Sequence, residues 1–292
     1  MGQPRQAAPG REHANTGAPL TERAPGQPRR PERAGTCWLA LLLLAPGPVL
    51  AAHPLITDDT GTQSGGRYQL ELNSELGRDR SVLGGVESRE EAGEAAVVAS
   101  MGVLDNVDLV VGVPWAWSGL REGGAQVFDG NGVGDMTVEV KWRVLEREGF
   151  SLAVKPGLSL PTGNEARGFG NGKVSYAASL IATQAVGPFS FHLNGAYARN
   201  EYALQADRDA NRSDIFHASF AAGVEVVKGL QVVANVGLET SSDRGSDTWP
   251  AFVLGGLIYS ATEKLALDLG VKGGLTEPET DLAALAGVAW RF

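Results

Sequence analysis

The chain has 292 residues, 43% of them hydrophobic, too few for a bundle of membrane helices, and its 39 Gly are roughly twice average usage. Its single Cys, Cys37, excludes a disulfide framework. The net charge is -9, with six Arg against three Glu in residues 1–52, so the rest is acidic and lacks the basic stripe that nucleic acid requires.

Residues 1–35 are mostly Pro, Arg, Gly and Ala and cannot bury a core. Arg33 then precedes the apolar run Trp38–Leu44, a break at Pro46 and the small-residue ending Val49-Leu50-Ala51-Ala52. A basic flank, a short apolar stretch and small residues are the parts of a secretory signal peptide. The run is far shorter than the ~18 residues of a membrane-spanning helix. Residues 1–52 are therefore expected to be a disordered basic leader plus signal peptide, cleaved near Ala51 or Ala52, and Cys37 leaves with it. Residues 53–67 follow as a periplasmic N-terminal segment. Its stretch His53–Gln63 is too polar for a strand and is read as a plug or ligand contact, with Asp58, Asp59, Thr60 and Gln63 as candidates. Adjacent carboxylates beside Thr60 and Thr62 suit a hard cation such as Ca²⁺, but in a loop they are usually just solvated, so no metal is assigned.

From Tyr68 onward the dominant signal has period two, clearest in Met136-Thr137-Val138-Glu139-Val140-Lys141-Trp142-Arg143-Val144. In a strand these alternate residues point to opposite faces. The pattern predicts twelve strands, at 68–76, 95–103, 107–117, 135–145, 150–160, 173–184, 189–198, 214–226, 230–239, 250–260, 265–274 and 282–292. Most exceed the 5–6 residues of a soluble strand and match the ~9–11 that cross a bilayer at a tilt. Short turns alternate with longer links at 77–94, 118–134, 161–172, 199–213, 240–249 and 275–281, the asymmetry of an outer-membrane barrel. Residues 68–292 are thus predicted to form an all-β, transmembrane, antiparallel up-and-down barrel with both ends on the short-turn side.

The apolar phase, which includes Tyr68, Leu70, Leu72, Leu109, Val111, Val113, Trp115 and Trp117, is read as facing lipid and as free of Asp, Glu, Lys and Arg. A charge facing lipid at mid-bilayer costs ~2–4 kcal/mol. A soluble β-sandwich also alternates, but export, strand length and loop asymmetry favour the membrane barrel. Trp115, Trp117, Trp142, Tyr259 and Trp290 fall mostly near strand ends, as interfacial girdles do. The other phase places Glu71, Glu75, Asp108, Asp135, Glu139, Lys141 and Arg143 in the lumen. Lys155, Glu225, Glu239, Asp268, Lys272 and Arg291 join them. These are the candidates for lining a narrow, mixed-charge solute path.

The last stretch alternates into Trp290-Arg291-Phe292. It resembles the C-terminal signature of bacterial outer-membrane proteins, which their assembly machinery reads, with Trp290 and Phe292 as its carriers. Pro54-Leu55-Ile56-Thr57-Asp58-Asp59-Thr60-Gly61-Thr62-Gln63 with Tyr68–Asn73 resembles the opening of the outer-membrane transporter family named for the meta-pathway of phenol degradation. Gly132-Val133-Gly134-Asp135 and Leu158-Ser159-Leu160-Pro161-Thr162-Gly163 are similar to that family's middle, although Trp142 stands where Tyr is expected. The resemblance covers 54–292 and implies an outer-membrane barrel that takes up aromatic or other poorly soluble compounds.

The reading is a channel or transporter for small solutes, with the lipid bilayer, the assembly machinery and the solute as partners. One alternative is a structural or adhesive barrel with a closed lumen. Another is a barrel-embedded lipid esterase, because His217 and Ser219 share one face of one strand, the minimum for an activated hydroxyl. That pair shares its phase with Glu225 rather than with Phe216 and Phe220, and no third group to orient the imidazole is identifiable. No zinc spacing, phosphate-cradling Gly loop or Ser-centred elbow appears, so neither an enzyme nor a cofactor is expected.

Overall fold

The computed structural model describes residues 53–292, so the leader, the signal peptide and Cys37 lie outside the described residues. Among the described residues it has thirteen strands. They are β1 (Tyr68–Leu83), β2 (Val86–Leu104), β3 (Val107–Glu122), β4 (Ala125–Val133), β5 (Met136–Arg147), β6 (Phe150–Leu160) and β7 (Ser175–Val186). The rest are β8 (Phe189–Arg199), β9 (Asp214–Val227), β10 (Leu230–Glu239), β11 (Ala251–Ser260), β12 (Leu265–Gly274) and β13 (Leu282–Arg291). Every pairing is antiparallel. β1 pairs β13, with Gln69 opposite Arg291, and also β2, which pairs β3, so the sheet closes on itself.

The closed ring holds twelve strands, because β4 lies outside it. β5 takes the lower part of β3, Val107–Gly112, and β4 pairs only with the upper part, Trp115–Glu122. Residues 118–134, expected as a loop, are therefore mostly a projecting hairpin. So are residues 77–94, where β1 and β2 continue to a tight turn at Gly84-Gly85. Those two glycines have φ of 59° and 82°, and Gly123-Gly124 at the β3–β4 turn have 57° and 86°. Two successive positive φ angles make the hairpin turn that matches strand twist, and Gly adopts them without a steric cost. The upper hairpin hides from a search for alternating apolar residues because its outer face is charged. Arg78 pairs with Glu91 at 3.3 Å and Arg80 with Glu87 at 2.5 Å, all well exposed except the half-buried Glu87.

Along the ring the two phases separate as a lipid-facing barrel requires. Leu70, Leu72, Val97, Leu193, Leu257 and Leu269 are exposed on the outside, whereas Glu71, Asp108, Lys141, Asn194, Ser219 and Asn235 are buried within. This inverts the soluble arrangement, in which burial belongs to the apolar side. Within the twelve predicted strands one charge breaks the expected uniformity of the outer phase, and β8 ends on another, Arg199. Asp214, which shares the phase of Phe216, starts β9 at the long-loop end and pairs with Arg199 at 2.9 Å and with the Tyr197 hydroxyl at 2.7 Å. At a strand terminus these groups meet water rather than hydrocarbon.

The long links are ordered. In 161–174 a 3-10 turn, Glu165–Arg167, precedes fully buried Phe169, which clusters with Ala116. In 200–213 a helix, α1 (Gln205–Ala210), leads to Arg212. Its guanidinium donates to the carbonyls of Ser241, Asp243 and Ser246 at 3.1, 2.5 and 2.6 Å and ties two loops together. No helix among the described residues is long and apolar enough to cross a membrane.

Candidate functional site

The interior is crossed by the segment that precedes β1. Pro54, Leu55, Thr57, Asp58 and Thr60 are buried, and their partners come from walls on opposite sides of the ring. His53 bonds Asp268 on β12 through its imidazole. The Ile56 and Thr57 N–H groups donate to the Asn235 amide oxygen on β10 at 2.7 and 3.0 Å, and the Asn235 amide donates to the Thr57 hydroxyl at 2.6 Å. Thr60 bonds Thr183 on β7 through its N–H and Ser151 on β6 through its hydroxyl. The Gln63 N–H donates to both Asp108 carboxylate oxygens on β3, at 2.9 and 3.1 Å. From there the chain leaves the lumen and turns into β1.

The centre of this crossing is ionic. The Asp58 carboxylate meets the Lys141 ammonium at 2.8 Å and the Lys155 ammonium at 3.0 Å, and all three side chains are at most 2% exposed. Asp59 stands 3.6 Å from Lys141, and Glu139 lies 3.5 Å from Lys155. Buried charges persist only when paired, so the two strand lysines fix where the segment's carboxylates sit. These carboxylates are neither free in solvent nor available as a hard-cation site, which corrects the solvated-loop expectation.

The wall also makes room for the segment. A Cβ at Gly270 would stand 2.7 Å from Pro54 Cβ, and one at Gly287 would stand 2.5 Å from His53 Nδ1. Both positions face inward, where any larger residue would collide with the segment. Beside this channel in the wall, Leu55 packs on inward-facing Ala221, Val233, Phe252, Leu254, Ala283 and Leu285. The lumen is therefore half apolar, more so than a path lined by paired charges.

The sequence-derived lumen residues divide into three groups. Asp108, Glu139, Lys141, Lys155 and Asp268 hold the crossing segment, as described. Glu71 is buried among neighbours of its own strand, accepting from Gln69 at 2.5 Å and Asn73 at 3.1 Å, and Lys272 is shared by Glu75 at 2.7 Å and Glu279 at 3.1 Å. Asp135, Arg143 and Glu225 stand at the ends of the barrel strands rather than along the crossing segment. Asp135 sits where β4 passes into β5 and accepts the N–H groups of Gly163 and Asn171, at 2.9 and 2.7 Å, which anchors a long loop. Arg143 and Glu225 lie at the short-turn rim, Arg143 paired with Glu146 at 3.1 Å and Glu225 accepting the Gly229 N–H at 2.8 Å. Both keep the inward phase, since the register shifts at Arg143/Leu145 and Leu230/Gln231 fall beyond them toward the turns, but they stand at the mouth rather than along the path. Trp290 and Phe292 point outward, their rings 5.7 Å apart, and Phe292 stacks on Tyr68 across the closing seam.

Above the segment, toward the long loops, lies a small open-mouthed cavity of about 60 Å³ floored by Ile56. Asp79, Glu90, His217, Glu239, Phe252 and Lys272 line it, together with the loop residues Pro278 and Glu279. Burial pushes the Glu279 carboxyl above the ordinary range, against the pull of Lys272. His217 and Ser219 both face inward, yet neither the imidazole nor the hydroxyl has a hydrogen-bond partner. They therefore do not bond each other, as an activated nucleophile would require.

A barrel of this build, with its interior crossed by a segment that begins near residue 54, can be compared with known proteins. Residues 57–292 match the family described as the MetA-pathway of phenol degradation. The chain belongs to this family. Among solved structures it is similar to the COG4313 outer membrane channel from Pseudomonas putida F1, at 14% identity and a TM-score of 0.62, over 80% of this chain and 98% of that one. The translocator domain of the autotransporter NalP from Neisseria meningitidis gives 11% identity and a TM-score of 0.52, over 78% and 90% of the two chains. The KdgM porin gives 11% identity and a TM-score of 0.51, over 77% and 99%. A search of curated proteins finds no match. These likenesses establish an outer-membrane barrel fold. The family match starts at Thr57, so it takes in most of the crossing segment as well as the barrel.

For this member of the phenol-degradation family, sequence reasoning missed Asn235, Thr183, Ser151 and the seat formed by Gly270 and Gly287. Asn235 carried the available signal: an amide at an inward position between Val233 and Gly237, on a strand whose outer phase is wholly apolar, Val232, Ala234, Val236 and Leu238. The glycines carried none, since inward Gly also occurs where the close neighbour is another part of the wall, as at Gly223 beside Ser190 and Gly237 beside Phe252.

Proposed function

We propose that this protein is a restricted outer-membrane channel that admits small solutes with apolar or aromatic bodies. The observation that carries the reading is the crossing segment. A ring of twelve strands is wide enough for a solute path, and the segment narrows it while leaving a small open cavity of about 60 Å³ on the loop side. Apolar Ile56 and Phe252 beside the polar groups of that cavity suit a solute with one apolar and one polar part. Family membership points the same way, toward compounds of a phenol-degrading pathway. In this reading the leader is a signal peptide removed near Ala51 or Ala52. The assembly machinery then reads the Trp290–Phe292 end, and the residues from His53 to Gln63 act as a plug. Lys141, Lys155, Asp108 and Asp268 position that plug, while Glu71 and Lys272 flank the path.

The closed structural barrel draws on the same buried ion pairs, since a plug held that firmly stops flow. Reconstitution separates the two. In planar bilayers the full chain is expected to give small stepwise conductance, and in liposomes it is expected to admit benzyl alcohol faster than protein-free controls. Deletion of residues 53–63 should raise conductance severalfold. Silence of both proteins in both assays would leave the closed barrel as the answer.

A further inference from the structure

We propose that the loop-side cavity is a recognition site for solutes carrying a protonated amine on a small apolar body; this rests on the channel reading and names the substrate class for its entrance. The charge around the cavity is unbalanced. Four carboxylates line it, from Asp79, Glu90, Glu239 and Glu279, against the single ammonium of Lys272. That ammonium is already committed, at 2.7 Å from Glu75 and 3.1 Å from Glu279. Asp79 and Glu90 are met only by neutral donors, the Asp281 N–H at 2.6 Å and the Ser118 hydroxyl at 2.9 Å. Neutral donors satisfy lone pairs but leave the negative charge in place.

His217 supplies the second, independent observation. It lines the cavity and is only 8% exposed, yet neither ring nitrogen has a hydrogen-bond partner. The Glu239 carboxylate stands 3.4 Å from its Nδ1, too poorly aligned to form that bond. A buried polar group left unsatisfied costs about 1–3 kcal/mol, and a ligand donor placed between His217 and Glu239 would relieve it. The groups converging there are acceptors with excess negative charge, so a cationic donor fits best, a neutral hydroxyl less well, and an anion is repelled. Ile56, Phe252, Pro250 and Pro278 give the apolar surface for the rest of the solute. The enclosed part, about 60 Å³, takes the charged head of such a solute, and its apolar body lies toward the open mouth.

The test uses three probes of one shape and different heads: benzylamine, benzyl alcohol and benzoate. Each is titrated calorimetrically into the full chain in lipid nanodiscs at neutral pH. Benzylamine should bind at least tenfold more tightly than benzyl alcohol, and benzoate should give no measurable heat. Glu239→Gln should weaken benzylamine about tenfold and leave benzyl alcohol unchanged. Glu90→Gln, judged folded by its heat-modifiable gel mobility, provides a second variant expected to act in the same direction. Equal affinity for the three probes, or full amine affinity retained in both variants, overturns the proposal. Failure of the channel reading is seen separately, as absent benzyl alcohol uptake in liposomes whatever the binding result.

Discussion

Asp58 sits between two lysines that have almost no contact with water, so its charge cannot be removed in isolation. Asp58→Asn leaves Lys141 with Asp59 alone, at 3.6 Å, and Lys155 with Glu139 alone. Removing one partner from a buried pair typically costs about 3–5 kcal/mol. The segment can escape that cost by leaving its seat, so the expected result is a severalfold higher single-channel conductance than wild type, read in planar bilayers. Gly270→Val should reach the same end by sterics, because Pro54 already occupies the space a side chain would need. Its readout is chemical. Thr57 is fully buried, so a Thr57→Cys reporter should resist a membrane-impermeant thiol reagent in the otherwise native protein and react readily beside Gly270→Val. Equal labelling in both backgrounds would show that the seat does not hold the segment.

At the scale of strands, the ring was legible in the sequence because one physical rule governs every element of it: lipid excludes charge on alternate residues. Strands such as β6, β10 and β12 were located to the residue, and β8, β11 and β13 to within one. The rule fails where lipid ends. Above Leu76 the outer face of β1 carries Arg78 and Arg80, and the alternation that betrays a strand disappears although the pairing continues. The Gly84-Gly85 and Gly123-Gly124 turns were the signals left to read, and both were counted as part of long links. The crossing segment was legible as something too polar for a strand and as a candidate plug, but where it sits was not. Its seat depends on contacts between residues up to 215 positions apart, such as His53 with Asp268, which no local pattern encodes. A stability prediction belongs here as well. Gly84→Val places a β-branched side chain at φ 59°, costing about 1–2 kcal/mol. The change should raise protease cleavage within 78–91 and leave the heat-modifiable mobility of the barrel unchanged, since β1 and β2 remain paired below.

For the whole molecule, the outer belt is the source of stability and can be probed from outside. Leu269 faces lipid, 63% exposed, midway along β12. Leu269→Arg should lower unfolding free energy by about 2–4 kcal/mol in urea titrations on lipid vesicles. Leu282→Arg, at the loop-side end of its strand, should cost about 1 kcal/mol or less. A finding that the two substitutions cost the same would contradict the placement of the belt.

The unequal strand lengths give the barrel a lopsided rim. β2 has 19 residues and β11 has 10. At ~3.3 Å per residue and a tilt near 40°, the longer strand climbs roughly 20 Å higher than the shorter one. A visitor from the medium therefore finds a salt-bridged parapet along one flank and a low sill along the other.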